Sequence, residues 1–238
     1  MGEDERLGRP VRGWSPPRRP DWARIEGRYV TLERLDPARH AADLHAANRA
    51  SDAIWDYLPY GPFADAAAYR AWAEGMAVRD DPWFVALVDR ATGRAAGVAS
   101  YLRIDPNAGS IEVGHINLSP AIQRTRAATE AMYLMMRWAF EAGYRRYEWK
   151  CNALNLGSRR AAERYGLSFE GVFRQATVVK GRNRDTAWFA AIDGEWPAIR
   201  AAFETWLDPA NFDAAGRQRQ ELSALTRPVL VTSDPALL

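Results

Sequence analysis

Two pairs of arginines carry the first chemical signal in this 238-residue sequence. Arg124 and Arg126 lie in Gln123-Arg124-Thr125-Arg126, and Arg159 and Arg160 in Asn155-Leu156-Gly157-Ser158-Arg159-Arg160. Each stretch follows a strand-patterned segment and opens a helix. A cation in a first helical turn opposes the helix dipole, whose N-terminal end favours negative side chains by up to about 1 kcal/mol. An anion resolves that conflict, because free main-chain N–H groups and guanidinium forks together make a phosphate pocket. Two such openings at one sheet edge would suit a ligand with several phosphates. Solvated surface arginines are the alternative, since every basic residue among 32 is Arg except Lys150 and Lys180. Glu112, in Ser110-Ile111-Glu112-Val113-Gly114, offers a carboxylate on an alternating strand, and an ordinary solvent-facing Glu would look the same. His115 follows, placed by alternation on the opposite face, and reads as a core or interface histidine. Cys151 would need an activating base to act as a nucleophile. No histidine lies near it in sequence, so it reads as a buried structural thiol.

Composition narrows the classes. Hydrophobic residues make up 47%, aromatic 11% and charged 26% of the chain, the profile of a soluble folded protein. A formal charge of +2 argues against an indiscriminate nucleic-acid binder. A single cysteine excludes an intramolecular disulfide and a Cys-based zinc site, and three histidines make a His-rich metal centre improbable. No apolar run reaches membrane-spanning length, and the opening MGEDERLGRP lacks a secretion signal and the myristoylation pattern. A cytoplasmic protein without membrane attachment is the expectation. Neither a nucleotide-triphosphate loop nor a G-x-S-x-G elbow is present.

The elements that must position these groups follow from periodicity. Residues 1–25 hold Pro10, Pro16, Pro17 and Pro20 among many arginines and predict an extended arm. Trp14 and Trp22 suggest that it lies against the domain or a second subunit. Arg28–Leu35 alternates as a strand, and Asp36-Pro37 caps a helix over 37–50. An aromatic loop, Ile54–Phe63, precedes a helix over 64–79. Strands are predicted at 83–89 and 96–103, around a hairpin turn, and at 110–118. The spacing of Ala128, Ala131, Met132, Met135, Trp138 and Ala139 predicts a helix ending at Gly143. A strand around 147–151, a short helix over 156–165, a hairpin of 169–179 with 185–192 and a helix over 197–207 complete the pattern. Residues 208–238 read as a mostly polar extension. Mixed strands and helices predict an α/β or α+β domain over 26–207, with a mixed sheet of about seven strands.

Leu118-Ser119-Pro120 followed by QRTRAATEA resembles the acyl-CoA-binding motif of the GNAT acetyltransferase superfamily, Arg/Gln-x-x-Gly-x-Gly/Ala. Gln123, Arg126 and Ala128 occupy the three marked positions, so Arg126 replaces the central glycine. Cys151, Asn155 and Ser158, with Gly166-Leu167 and FEGVFR, resemble the Rim-type branch, which includes acetyltransferases of ribosomal-protein N-termini. The likeness spans roughly residues 26–207 and implies a mostly antiparallel sheet with helices on both faces. It further implies acetyl-CoA as co-substrate, no metal, and a primary amine as acceptor, on a protein N-terminus or a small molecule. Glu112 matches the branch's general base and Ser158 its general acid. The tyrosine used by many relatives would fall at Ala162, and Tyr165 reads as packing or a CoA contact. For the donor the resemblance implies Ile116, Asn117 and Leu118 along the pantetheine arm, and Gln123, Arg124, Thr125, Arg126, Ala127, Ala128 and Thr129 at the pyrophosphate. Asn155 would meet the pantetheine amides, and Arg159 or Arg160 the 3′-phosphate. Trp55, Tyr57, Tyr60, Phe63, Trp83 and Phe84 would line an acceptor cleft. Monomer and homodimer both remain open. A non-catalytic acyl-CoA-binding sensor or partner-binding module is the alternative, and the arm on RNA is a third reading.

Overall fold

Alternating and helical segments assemble, in a computed structural model describing residues 8–237, into an eight-stranded sheet with helices on both faces. Residues 1–7, where the expected arm begins, and Leu238 lie outside the described residues. The strands are β1 (Arg24–Glu26), β2 (Val30–Arg34), β3 (Trp83–Asp89), β4 (Arg94–Asp105), β5 (Ser110–Leu118), β6 (Arg146–Asn152), β7 (Ser168–Val179) and β8 (Arg182–Ile192). Their spatial order is β1-β2-β3-β4-β5-β6-β8-β7. Only β5 and β6 run parallel; every other neighbouring pair is antiparallel. The α-helices are α1 (Pro37–Asn48), α2 (Ala66–Ala77), α3 (Arg126–Glu141), α4 (Leu156–Arg164), α5 (Trp196–Leu207) and α6 (Leu222–Thr226). The eighth strand, beyond the seven expected, is β1. It forms where the prolines end, so its N–H groups can pair, and Ile25 stands opposite Leu32 of β2.

Strand alternation divides the core in two. Val30, Leu32, Val85, Leu87, Tyr101, Ile111 and Val113 point to the face covered by α3 and α5. Phe84, Ala86 and Val98 point the other way, onto Leu44 of α1, Trp55 of the aromatic loop and Tyr69 of α2. Helix α3 is buried from Ala127 to Met136 rather than along one stripe, because α5 covers its outer side. Tyr133 stacks on Phe203 there, and Phe140 on Trp196. Buried Glu130 of α3 accepts the N–H groups of Arg28, Tyr29 and Val30 at 2.8, 2.6 and 2.9 Å, which pins the β1–β2 turn to the helix.

Both terminal segments fold onto this body. Along the arm, Pro17 and Pro20 are buried, and Arg19 donates to the Ile104 carbonyl at 3.0 Å. Trp22 meets Trp83 edge-on at 4.6 Å. The C-terminal segment departs from a polar extension: Leu222 and Thr226 of α6 are buried, and so is Asp234. Asp234 makes a two-point ion pair with Arg159.

Candidate active site

The sheet opens between its two parallel strands. β5 and β6 pair only from Ser110 opposite Arg146 to Val113 opposite Trp149. Beyond Val113, β5 keeps β4 as its partner, with Val98 opposite Asn117 and Gly97 opposite Leu118. The Ile116–Leu118 edge therefore faces an opening. The register against β4 shifts between Val98 and Ser100, and His115 sits in that shift at φ +49°. Left-handed backbone is costly for a side chain other than glycine's, on the order of 1 kcal/mol. The irregularity also reverses alternation. His115 therefore lies on the same face as Glu112, contrary to the alternation reading. Its ring stacks on Tyr60 at 5.6 Å and lies 5.2 Å from Phe84. Burial and the charges of Arg103, Arg184 and Arg79 lower its pKa to about 4, so the imidazole is neutral near pH 7.

Glu112 is only 3% exposed. Arg103 Nη1 lies 2.7 Å and Lys150 Nζ 2.9 Å from its Oε2. Both cations sit at one oxygen. Oε1 faces Gly114, where a side-chain Cβ would come within 3.4 Å of it. Burial raises the Glu112 pKa above the usual carboxylate value, and Arg103 and Lys150 limit the rise.

Ser158 stands on the other side of the sheet. Asn155 caps α4, its Oδ1 accepting the Ser158 N–H at 3.0 Å. The Ser158 hydroxyl oxygen accepts the Trp149 indole N–H at 2.9 Å. Cys151 is buried beside it, and burial pushes the thiol pKa up, with a Ser158 hydrogen bond opposing. A buried thiol held protonated is a poor nucleophile.

At the start of α3, Thr125 is the cap, accepting the Ala128 N–H at 3.2 Å. Arg124 takes the left-handed conformation at φ +59°, and Gln123 Nε2 donates to the Leu118 carbonyl at 2.8 Å. Among the described residues, the N–H groups of Arg124, Arg126 and Ala127 have no hydrogen-bond partner. Arg126 is turned away from the turn, its guanidinium sandwiched between Tyr29 at 4.8 Å and Phe212 at 4.6 Å. A cavity of about 470 Å³ opens on that side, lined by Arg28, Tyr29, Asp89, Arg90 and Thr125–Ala127. It adjoins the ends of β2 and β3.

The aromatic loop roofs the Glu112 face. The Tyr57 hydroxyl donates to the Leu154 carbonyl at 3.3 Å, and Lys180 Nζ to the Trp55 carbonyl at 2.9 Å. Trp55, Tyr60, Phe63 and Phe84 share this cluster. Trp83 does not. It neighbours Phe84 in an alternating strand, so it points to the opposite face, against Trp22 and Tyr101. Arg159 is likewise withdrawn, 6% exposed and paired with Asp234, whereas Arg160 is exposed.

Residues 30–168 match the family model described as an acetyltransferase (GNAT) domain. A GCN5-related N-acetyltransferase from Brucella melitensis is 46% identical, with a TM-score of 0.89 over 91% of this chain and 100% of that one. The chain belongs to the GNAT acetyltransferase family. A structure from Chromobacterium violaceum, described as a probable acetyltransferase of the GNAT family, is 43% identical, with a TM-score of 0.76 over 80% and 96% of the two chains. RimL, a ribosomal L7/L12 alpha-N-protein acetyltransferase, shares the fold at 22% identity and a TM-score of 0.61, over 71% and 93% of the two chains. No protein of curated function matches in sequence.

As a GNAT protein, the chain is an acyl-CoA-dependent acetyltransferase. Around its β5–β6 opening stand several groups to which the sequence reading gave no catalytic or binding role: Arg103, Lys150, Trp149, Arg184 and His115, which turns to the Glu112 face. Alternation does place Lys150 and Trp149 on opposite faces of β6, a signal that becomes useful only once the neighbouring strand is known. Arg103 gives no such signal, because its own φ of +46° breaks the alternation of β4. Among the described residues, no helix is long and apolar enough to cross a membrane, and no cluster of three or more His, Cys, Asp or Glu could hold a metal ion.

Proposed function

We propose that this acetyltransferase carries the acetyl group of acetyl-CoA directly to a primary amine, on a protein N-terminus or a small molecule, with Glu112 as general base and Ser158 as general acid. The observation that carries this reading is the arrangement across the opening. The buried carboxylate of Glu112 lies on one face and the Ser158 hydroxyl on the other. The free edge of Ile116, Asn117 and Leu118 suits the pantetheine arm. The unpartnered N–H groups in the Gln123–Thr129 segment suit the pyrophosphate without help from the Arg126 side chain. Asn155 would reach the pantetheine amides, and Trp55, Tyr57 and Tyr60 would bound the acceptor.

In this scheme Glu112 receives the ammonium proton of the acceptor, directly or through water, so that the nitrogen lone pair can attack the thioester carbon. As the C–N bond forms and the C–S bond breaks, Ser158 passes its hydroxyl proton to the departing sulfur and is reprotonated from solvent, while the nitrogen releases its second proton to water and Glu112 returns the first to solvent. The raised Cys151 pKa favours direct transfer over an acyl-enzyme.

Turnover of acetyl-CoA with a panel of amines tests the reading. Glu112→Gln should lower kcat about 100-fold or more, with acetyl-CoA affinity by calorimetry nearly unchanged. The base must be deprotonated, so wild-type kcat should fall as pH drops through a pKa above the usual Glu value, and the variant should lose that limb. Equal turnover in the two proteins over roughly pH 6–9 would reject the assignment.

A further inference from the structure

The Glu112 face carries more cations than its carboxylates can pair. Glu112 holds Arg103 and Lys150, and Glu148 holds Lys150 at 2.7 Å and Arg146 at 2.7 Å. Arg184 is left over. Register places Arg184, Thr186 and Trp188 on one side of β8, with Trp188 directly opposite Lys150. The Lys150 ammonium lies 3.6 Å over the Trp188 ring, so this is the side that Glu112 shares. Among the described residues Arg184 has no carboxylate partner, and its Nε is buried without an acceptor. Burial lowers its pKa, Cys151 and Glu112 oppose that, and Arg103 adds repulsion. Neutral His115 supplies no balancing charge. The Trp188 indole N–H, the Tyr60 hydroxyl, His115 Nδ1 and the Asn117 amide also lack partners, so the cleft holds several polar groups that a ligand could satisfy.

A half-buried guanidinium without an anion is unfavourable unless a ligand completes it. Its planar fork matches a carboxylate at two points. We propose that Arg184 receives a carboxylate carried by the ligand, either on the acceptor amine or at the far end of the acyl group. This rests on the acyl-transfer reading of the same cleft and narrows its substrate class to acidic ligands.

Two matched pairs of probes separate the sources: succinyl-CoA with acetyl-CoA, and Asp-initiated with Asn-initiated tripeptide amides. For wild type, Arg184→Gln and Arg184→Lys, kcat/KM is measured for every combination, and calorimetry gives the affinity for each probe. The expected result is a preference of about 10-fold or more for the acidic member of one pair in wild type. That ratio should collapse toward unity in Arg184→Gln and be partly kept in Arg184→Lys. The pair that shows it identifies the source. Ratios within about twofold for both pairs in wild type would overturn the proposal, as would a preference that survives in Arg184→Gln. Arg184-dependent preference in calorimetry without turnover of any amine would refute amine transfer and leave the carboxylate site standing.

Discussion

Ser158 owes its chemical character to a neighbour on another element. An indole N–H can only donate, so the Ser158 oxygen must accept from Trp149, and in the proposed scheme the hydroxyl proton shared with the Cys151 sulfur is the one given to the departing sulfur. Ser158→Ala should therefore lower kcat about 10- to 100-fold. Trp149→Phe, which keeps the ring and removes the N–H, should lower kcat severalfold while the KM for acetyl-CoA holds. A wild-type rate in Ser158→Ala would reduce the residue to the opening of α4. Ser158 and Glu112 were picked out in the sequence because they stand in short motifs that carry the family resemblance. Trp149 gave no comparable signal, since nothing along the chain says which hydroxyl its indole will meet.

At the scale of elements, helix caps and alternation located the strands and helices well, because both are set by a few consecutive residues. Asp36 caps α1, and its carboxylate accepts the Ala38 N–H at 2.9 Å, as Asp-Pro predicts. What alternation could not anticipate is its own interruption at His115, where one shifted residue moves a side chain through the sheet. Glu130 is a second case. A carboxylate on the buried face of α3 looks misplaced until the β1–β2 turn presents three N–H groups to it. Glu130→Ala leaves those donors buried and unpaired, and should cost about 3 kcal/mol, or roughly 6–12 °C in Tm. Thermal unfolding followed by circular dichroism reads this directly. An unchanged Tm would mean that the turn is held by β-pairing alone.

At the scale of the molecule, parts of both terminal segments, from Pro17 on one side and Leu222 to Asp234 on the other, pack onto the body. The C-terminal segment matters most for the site, because Asp234 reaches back to Arg159 in the first turn of α4, beside Ser158. Breaking one side of a buried pair strands the other charge. Asp234→Asn should therefore destabilise the fold by about 3 kcal/mol or more. Arg159→Met combined with Asp234→Leu should recover most of that loss, as measured by denaturant unfolding. Additive losses in the double variant would show that the two residues are not coupled.

Periodicity, caps and turn residues determined the element types, their order and the family resemblance, because each depends on side chains a few positions apart. The Gln123–Ala128 turn and the Asn-x-x-Ser opening of α4 belong to that same local information. Tertiary structure alone decided which arginine is available. Arg159 looked free and is neutralised by a residue 75 positions away. Arg126 looked aimed at phosphate and is held between two rings. Arg184 drew no notice and has no counter-charge among the described residues. The physical reason is that charge pairing and burial depend on distance through space, which the chain's local preferences do not encode.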